Sequence, residues 1–150
     1  MKKDYDSTRI YRNTHKKRVR HRLMTHPRKR YFKMAIIIKA KYPDRLIFKI
    51  KKAIITNEID AWICDEDGDF TYESQPWRFQ AWIRPIIKDE HTVIFAIVGR
   101  NDQKLTTLAY AIYHSRFIEM VLALFDYECT EIYVTPFASD SDYLGGNNNQ

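Results

Sequence analysis

The hydrophobic and polar positions divide the chain into a basic first segment without periodicity and a longer segment with regular periodicity. Residues 1–32 show no sustained period of 2 or 3.6, so we predict a disordered arm there. Residues 33–138 alternate apolar runs with helical patterns, which predicts a single folded domain. Residues 139–150 are polar and predict a tail that adds nothing to the packing.

Within residues 33–138 the patterns predict the order β-α-β-β-β-β-α-β. The first strand is a continuous apolar run, which favours a position inside a sheet. This order indicates an α+β fold in which a mostly antiparallel sheet has two helices packed on one face. The predicted strands are 32–39, 59–64, 69–73, 77–87, 92–98 and 131–135, and the predicted helices are 44–55 and 104–126.

The second predicted helix has an unusually apolar end. Asn101 or Asp102 is suited to cap its start, and residues 117–125 contain Glu119 as their only charged residue. Such wide apolar coverage predicts burial on more than one side. The covering surface is then the first helix, a second copy of the chain in a homodimer, or a partner protein.

Charge is distributed very unevenly along the chain. Residues 1–52 contain 19 Lys and Arg residues and three acidic residues. Residues 53–150 contain only 6 Lys and Arg residues but 16 acidic residues. The first part is thus strongly cationic and the remainder is anionic, although the net charge is only +6. Such a chain can bind an external polyanion, or its arm can fold back on its own acidic body.

The predicted arm has the composition of a polyanion-binding segment. From residue 9 to residue 33 it contains no acidic residue, and aromatic side chains recur along it. Lys and Arg neutralise phosphates and release counterions, so nucleic acid is the partner that this segment favours. The candidate binding residues in the arm are Arg9, Arg12, Lys16, Lys17, Arg18, Arg20, Arg22, Arg28, Lys29 and Arg30.

The first predicted helix extends this basic character into the domain. Arg45, Lys49 and Lys52 recur at i, i+4 and i+7 and form one ridge beside the apolar face. With Lys39 and Lys41 just before them, they predict a basic track that binds one polyanion together with the arm. The alternative is an ordinary solvated flank of a helix.

A further candidate surface lies on the strand predicted at 77–87. Alternation places Arg78, Trp82 and Arg84 on the face opposite Ala81, so an indole lies between two guanidinium groups. Such a face suits base stacking and phosphate contact, and Trp62 is a candidate to share it. In the alternative interpretation, another element covers Trp82 and the arginines pair with Asp60 or Glu73.

Catalytic and metal-binding alternatives depend on weaker patterns. The acidic run at 65–69 could hold Mg²⁺ or Ca²⁺, but it lacks the twelve-residue spacing of an EF-hand, and acidic hairpin turns are common. His91 and His114 could join it, and Ser115 follows His114, although adjacent helical residues point to different faces. We predict no metal, no cofactor and no catalytic residue, with a metal-dependent nuclease or phosphoesterase as an alternative.

The remaining sequence features concern the cellular compartment of the protein. Two separated cysteines, Cys64 and Cys129, predict reduced thiols, and the charged start of the chain lacks the apolar core of a signal peptide. No apolar stretch reaches the length of a transmembrane helix. These features predict a cytoplasmic protein without a membrane partner.

Together the patterns predict a non-enzymatic nucleic-acid-binding protein, with RNA preferred to DNA. In size and composition, a small domain with one charged arm also resembles the proteins that phages and mobile elements use to block host nucleic-acid machinery, including anti-CRISPR proteins. This resemblance implies an inhibitor or adaptor that binds a host protein or a ribonucleoprotein.

Overall fold

A computed structural model of the chain describes residues 35–134, 136 and 141–146. The chain divides into two units, Met1–Tyr31 and Phe32–Gln150, and the described residues all belong to the second. The predicted arm, with its ten candidate cations, and the predicted start of the first strand at 32–34 therefore lie outside the described residues.

The described residues form an α+β fold, as predicted. Six antiparallel strands lie in the order β2-β3-β4-β5-β1-β6, and the predicted order of strands and helices along the chain is confirmed. The strands are β1 (Ile36–Ala40), β2 (Trp62–Cys64), β3 (Phe70–Tyr72), β4 (Ala81–Asp89), β5 (Thr92–Gly99) and β6 (Cys129–Val134). The helices are α1 (Pro43–Ile55) and α2 (Thr107–Leu124), and a short 3₁₀ helix, Asp126–Glu128, precedes β6.

Both helices cover the same face of the sheet. Along β1, Ile36 and Ile38 are buried, and their neighbours in β5, Phe95 and Val93, point to the same side. These side chains form one apolar cluster with the buried stripe of α1 and with α2, which contributes Phe117. The interior position predicted for the first strand is confirmed, because β1 lies between β5 and β6.

The strand predicted from residue 77 begins later than expected. Trp77 and Gln80 belong to tight turns, since the Trp77 N–H donates to the Ser74 carbonyl and the Gln80 N–H donates to the Trp77 carbonyl. Phe79 has a φ of 58°, a left-handed conformation that cannot continue a strand. Pro85 is tolerated inside β4 because β3 pairs with β4 only at Ile83, so no neighbour on that side needs a donor from residue 85.

The start of α2 differs from the prediction. The cap is Thr106, whose side chain accepts a hydrogen bond from the Ala109 N–H at 3.1 Å, so the predicted cap at Asn101 or Asp102 is wrong. At the other end Leu122 and Leu124 are exposed. The described residues therefore leave part of the apolar end of α2 uncovered, and its burial by a second copy of the chain or by a partner protein stays a prediction. No helix in this part of the chain has the length and apolarity to cross a bilayer.

Part of the predicted tail packs against the domain. Tyr143 forms a parallel bridge with Val98, its N–H donates to the Ile97 carbonyl, and Leu144 packs against the core. The Leu144 carbonyl accepts a hydrogen bond from the Leu105 N–H. The expectation that the tail adds nothing to the packing is thus wrong for residues 141–146, which occupy the edge of β5 beyond the start of β1.

The hydroxyl of Tyr113 connects α2 to the turn before β4. Tyr113 is fully buried, and its hydroxyl donates to the Trp77 carbonyl at 2.8 Å and lies 3.1 Å from Thr71 Oγ1. We predict that Tyr113→Phe lowers the free energy of unfolding by about 1–2 kcal/mol, because the hydrogen bond to the Trp77 carbonyl and the contact with the buried Thr71 Oγ1 are both lost, and the carbonyl keeps only the Gln80 N–H as a donor. Urea denaturation measures this loss. The exposed Tyr133→Phe is the control, and equal stability of the two variants would contradict the prediction.

Candidate nucleic-acid interface

The predicted basic ridge lies on α1, on the side away from the core. Leu46 and Ile50 form part of the buried face, whereas Arg45 and Lys52 are exposed and Lys49 is half-buried. Helix periodicity places these three cations on one strip along the solvent side. The structure therefore brings the three predicted ridge residues together.

Two of these cations share one carboxylate that the sequence did not indicate. Arg45 donates to Glu128 Oε2 from Nε at 2.9 Å and from Nη2 at 2.8 Å, and Lys49 Nζ donates to Glu128 Oε1. The Glu128 side chain is only 2% exposed, whereas Arg45 and Lys49 keep 50% and 36% of their side chains exposed. Glu128 thus fixes two long side chains in place while leaving them accessible.

The hydrogen bonds in this cluster also change its protonation behaviour. The hydrogen bond from Lys49, reinforced by that from Arg45, lowers the pKa of Glu128. The same contact raises the pKa of Lys49. The carboxylate therefore stays ionised and offsets part of the positive charge of the ridge.

Exposed aromatic rings lie directly beside these cations. The Arg45 guanidinium is 4.7 Å from the ring centroid of Tyr42, and Lys49 Nζ is 4.8 Å from that of Tyr127. The two rings are 48% and 67% exposed, and Phe48 is also exposed on the solvent side of α1. We call this surface the cationic aromatic patch; it comprises Lys41, Tyr42, Arg45, Phe48, Lys49, Lys52, Tyr127 and Glu128.

Sequence reasoning missed the aromatic members of the patch. Tyr42 stands beside Lys41 and one turn before Arg45, so interleaved aromatic and basic residues were a local signal that could have identified it. Tyr127 and Glu128 offered no such signal. They reach α1 only because the 3₁₀ helix brings a segment about 80 residues away into contact with it.

The structure does not place Lys39 beside the ridge. Lys39 lies between the buried Ile38 and Ala40 on β1, so it points to the face of the sheet opposite the helices. There its Nζ donates to Thr92 Oγ1 at 2.7 Å. Lys41, which follows the strand, is exposed, and its Nζ lies 5.3 Å from the ring centroid of Tyr42.

On the predicted surface around Trp82, Arg84 forms an ion pair within the domain. Trp82 and Arg84 lie on the face opposite Ala81 and Ile83, as predicted, but Arg84 Nη2 is 2.6 Å from the buried Asp69. The hydrogen bond to Asp69 raises the pKa of Arg84. These contacts leave the sheet face with less free charge than the sequence suggested.

The two remaining residues of that prediction lie elsewhere. Arg78 belongs to the turn before β4 and lies 3.2 Å from Glu73, which is the pairing that the alternative interpretation named. Trp62 is buried among Tyr113 and Phe117, on the helix-covered face. The expectation that Trp62 shares a face with Trp82 is therefore wrong.

The acidic turn at 65–69 uses its carboxylates for structure. Asp65 Oδ1 accepts the Asp69 N–H at 2.9 Å, which stabilises the turn that contains Gly68 with its φ of 85°. Asp69 binds Arg84. Among the described residues, no group of three or more His, Cys, Asp and Glu side chains has an arrangement that could hold a metal ion.

His114 lies inside the domain and not in an accessible site. It is buried, its ring centroid is 3.9 Å from that of Tyr110, and neither ring nitrogen has a hydrogen-bond partner in the described part of the chain. Burial lowers the pKa of His114 to about 4. Ser115 is exposed and donates to the Ile112 carbonyl, so the predicted neighbours do not form a base–nucleophile pair.

Comparisons with protein-family models, curated proteins and solved structures find no match for this chain. The residues and their geometry are therefore the basis on which a function is inferred.

We predict that His114 makes the domain sensitive to acid. Its pKa is lower in the folded chain than the usual 6.5, so the unfolded chain binds more protons and stability falls as the pH falls from 6.5 towards 4. The expected loss between pH 7 and pH 5 is about 2 kcal/mol. Denaturation at both pH values measures it.

The variant His114→Phe should remove most of this pH dependence, because it removes the group that gains a proton on unfolding. His91→Gln, a change in an exposed turn, serves as the control and should keep the dependence. An unchanged pH dependence in His114→Phe would show that another group is responsible.

Proposed function

We propose that this protein binds nucleic acid without acting on it chemically, with RNA preferred to DNA, and that it does so in the cytoplasm. The observation that carries the proposal is the cationic aromatic patch on α1. Its Arg45 and Lys49 are held in place yet accessible, and aromatic rings are exposed next to them. Interleaved cations and aromatic rings suit a partner that offers both phosphates and bases.

The charge of the whole chain supports the same proposal. The cations of the patch lie in residues 1–52, which carry 19 of the 25 Lys and Arg residues, and the ten candidate cations of the arm precede them in the chain. Polynucleotides are the polyanions with the densest regular charge, so they gain most from such a segment. The acidic remainder of the chain favours a binding orientation in which it faces away from the phosphates.

We predict binding that weakens steeply with salt and depends on the arm. A chain that begins at residue 32 should lose most of its affinity for a labelled oligonucleotide. In the full chain, substitution of Gln for three arm residues, Arg18, Arg20 and Arg22, should weaken the salt dependence. The magnitude of the slope of log affinity against log salt should fall by about 0.7 to 0.9 for each lost phosphate contact. Fluorescence anisotropy at several salt concentrations measures both effects.

A matched pair on α1 tests the ridge in the same assay. Lys52→Gln removes a charge from the patch, whereas Lys51→Gln removes one from the opposite flank, where Lys51 lies close to Gly68 of the acidic turn. Only Lys52→Gln should weaken binding. Full-strength binding by the chain that begins at residue 32 would refute the role of the arm, and equal effects of the two Lys variants would refute that of the ridge.

Glu128→Gln should strengthen nucleic-acid binding while it weakens the fold. The amide removes a negative charge from the patch, and at the reduced dielectric of a protein surface this should raise affinity about three- to fivefold. The melting temperature should fall, because Arg45 and Lys49 lose their shared carboxylate. Glu119→Gln, at an exposed pair with Arg116, gives the same change in net charge and should alter neither quantity much. Unchanged or weaker binding by Glu128→Gln would contradict a phosphate-binding role for the patch.

The second candidate function is an inhibitor or adaptor of the anti-CRISPR type, which binds a host protein or ribonucleoprotein. The exposed Leu122 and Leu124 in the last turn of α2 favour it, because these side chains, which point to different sides of the helix, add apolar surface that a protein contact would bury. A homodimer through the predicted 117–125 segment would use the same side chains. Purification with and without nuclease separates the two functions, since a protein partner is retained after nuclease treatment and a nucleic-acid-tethered one is lost.

A further inference from the structure

We propose that the cationic aromatic patch takes single-stranded nucleic acid, with bases stacked on Tyr42 and Tyr127 and phosphates bound by Arg45 and Lys49. This inference rests on the proposed function and specifies the substrate class of the same site. The proposed function requires only that phosphates contact the cations, which a duplex also allows. The present proposal also requires unstacked bases that can contact the tyrosine rings, which a duplex does not offer.

The patch is a continuous series of contacts with an aromatic ring at each end. Tyr42 contacts Arg45, Arg45 binds Glu128, Glu128 binds Lys49, and Lys49 contacts Tyr127. One buried carboxylate therefore sets the positions of both cations, and each cation lies against one of the two rings. Such a series presents charge in the middle and stacking surfaces on both sides.

The exposure of the rings is the reason to favour a single strand. Tyr42 and Tyr127 are about half and two-thirds exposed, although burial of a tyrosine ring is normally favourable. In a duplex the faces of the bases are already stacked on one another, so an exposed ring has little to contact. In a single strand the bases are free to stack on aromatic side chains, and any base can do so.

The local backbone supports a binding role for both tyrosines. Tyr42 occupies the capping position of α1, but its side chain makes no capping hydrogen bond. Tyr127 belongs to the short 3₁₀ helix, in which the neighbouring Glu128 is buried. Neither ring belongs to the apolar core cluster, so both can be replaced without opening a cavity in that cluster. Phe48 lies on the same side of α1 and offers a third exposed ring.

The experiment uses the full chain and labelled oligonucleotides of mixed sequence, as single-stranded RNA, single-stranded DNA and the corresponding duplexes. Tyr42→Ala and Tyr127→Ala should each weaken single-strand binding about tenfold, which is a typical loss for one stacked base. Tyr42→Phe and Tyr127→Phe keep the rings and should bind nearly as the unchanged chain does. Duplex binding and the salt slope should stay the same in all four variants, because no charge is removed.

Tyr133→Ala, a change of an exposed tyrosine on β6, is the matched control and should leave all affinities unchanged. Thermal denaturation establishes that every variant is folded. Single-strand binding that survives both Ala substitutions, or single-strand and duplex binding that fall together, would overturn the stacking role and leave the proposed function standing. An unchanged chain that binds none of the four oligonucleotides would overturn both proposals.

Discussion

The candidate site depends on the hydrogen bonds and ion pairs that Arg45 and Lys49 form with the buried carboxylate of Glu128. Taking a carboxylate out of water is costly, and the cost is offset only where well-placed cations and hydrogen bonds surround it. Arg45 and Lys49 supply three such hydrogen bonds from α1. The same contacts fasten α1 to the segment between α2 and β6, so one ion-pair cluster both stabilises the fold and orients the cations of the patch.

The basic residues on the open face of the sheet differ from those of the patch in how their charge is offset. On the face opposite the helices, Arg84 is bound to the buried Asp69, and Lys39 donates to Thr92. Asp69 offsets the charge of Arg84, although the Arg84 side chain is 48% exposed, and Lys39 is held by a neutral hydroxyl. The cations of α1 are also paired, but Arg45 and Lys49 share one carboxylate, so this cluster keeps a net positive charge. This net charge and the exposed rings beside it, more than the number of basic residues or their exposure, distinguish the patch from the sheet face.

Hydrophobic periodicity was sufficient to predict the order of the elements. Continuous apolar runs predicted β1 and β5, and the stripe of Leu46 and Ile50 predicted α1, because interior strands and one face of a helix are buried in the core. The errors occurred where a polar or backbone contact overrode the pattern. Tight turns end the apparent strand before β4, and Thr106 caps α2 although two other residues had suitable side chains nearer to the preceding strand.

The sequence by itself determined the α+β class, the element order and the ridge of Arg45, Lys49 and Lys52, since each follows from spacing along one segment. Only the tertiary structure decided which cations share a surface. It turned Lys39 to the opposite face, engaged Arg84 with Asp69, and brought Tyr127 and Glu128 to α1. The physical reason is that spacing along a chain specifies a face of one element, whereas pairing between distant residues depends on how folded elements pack.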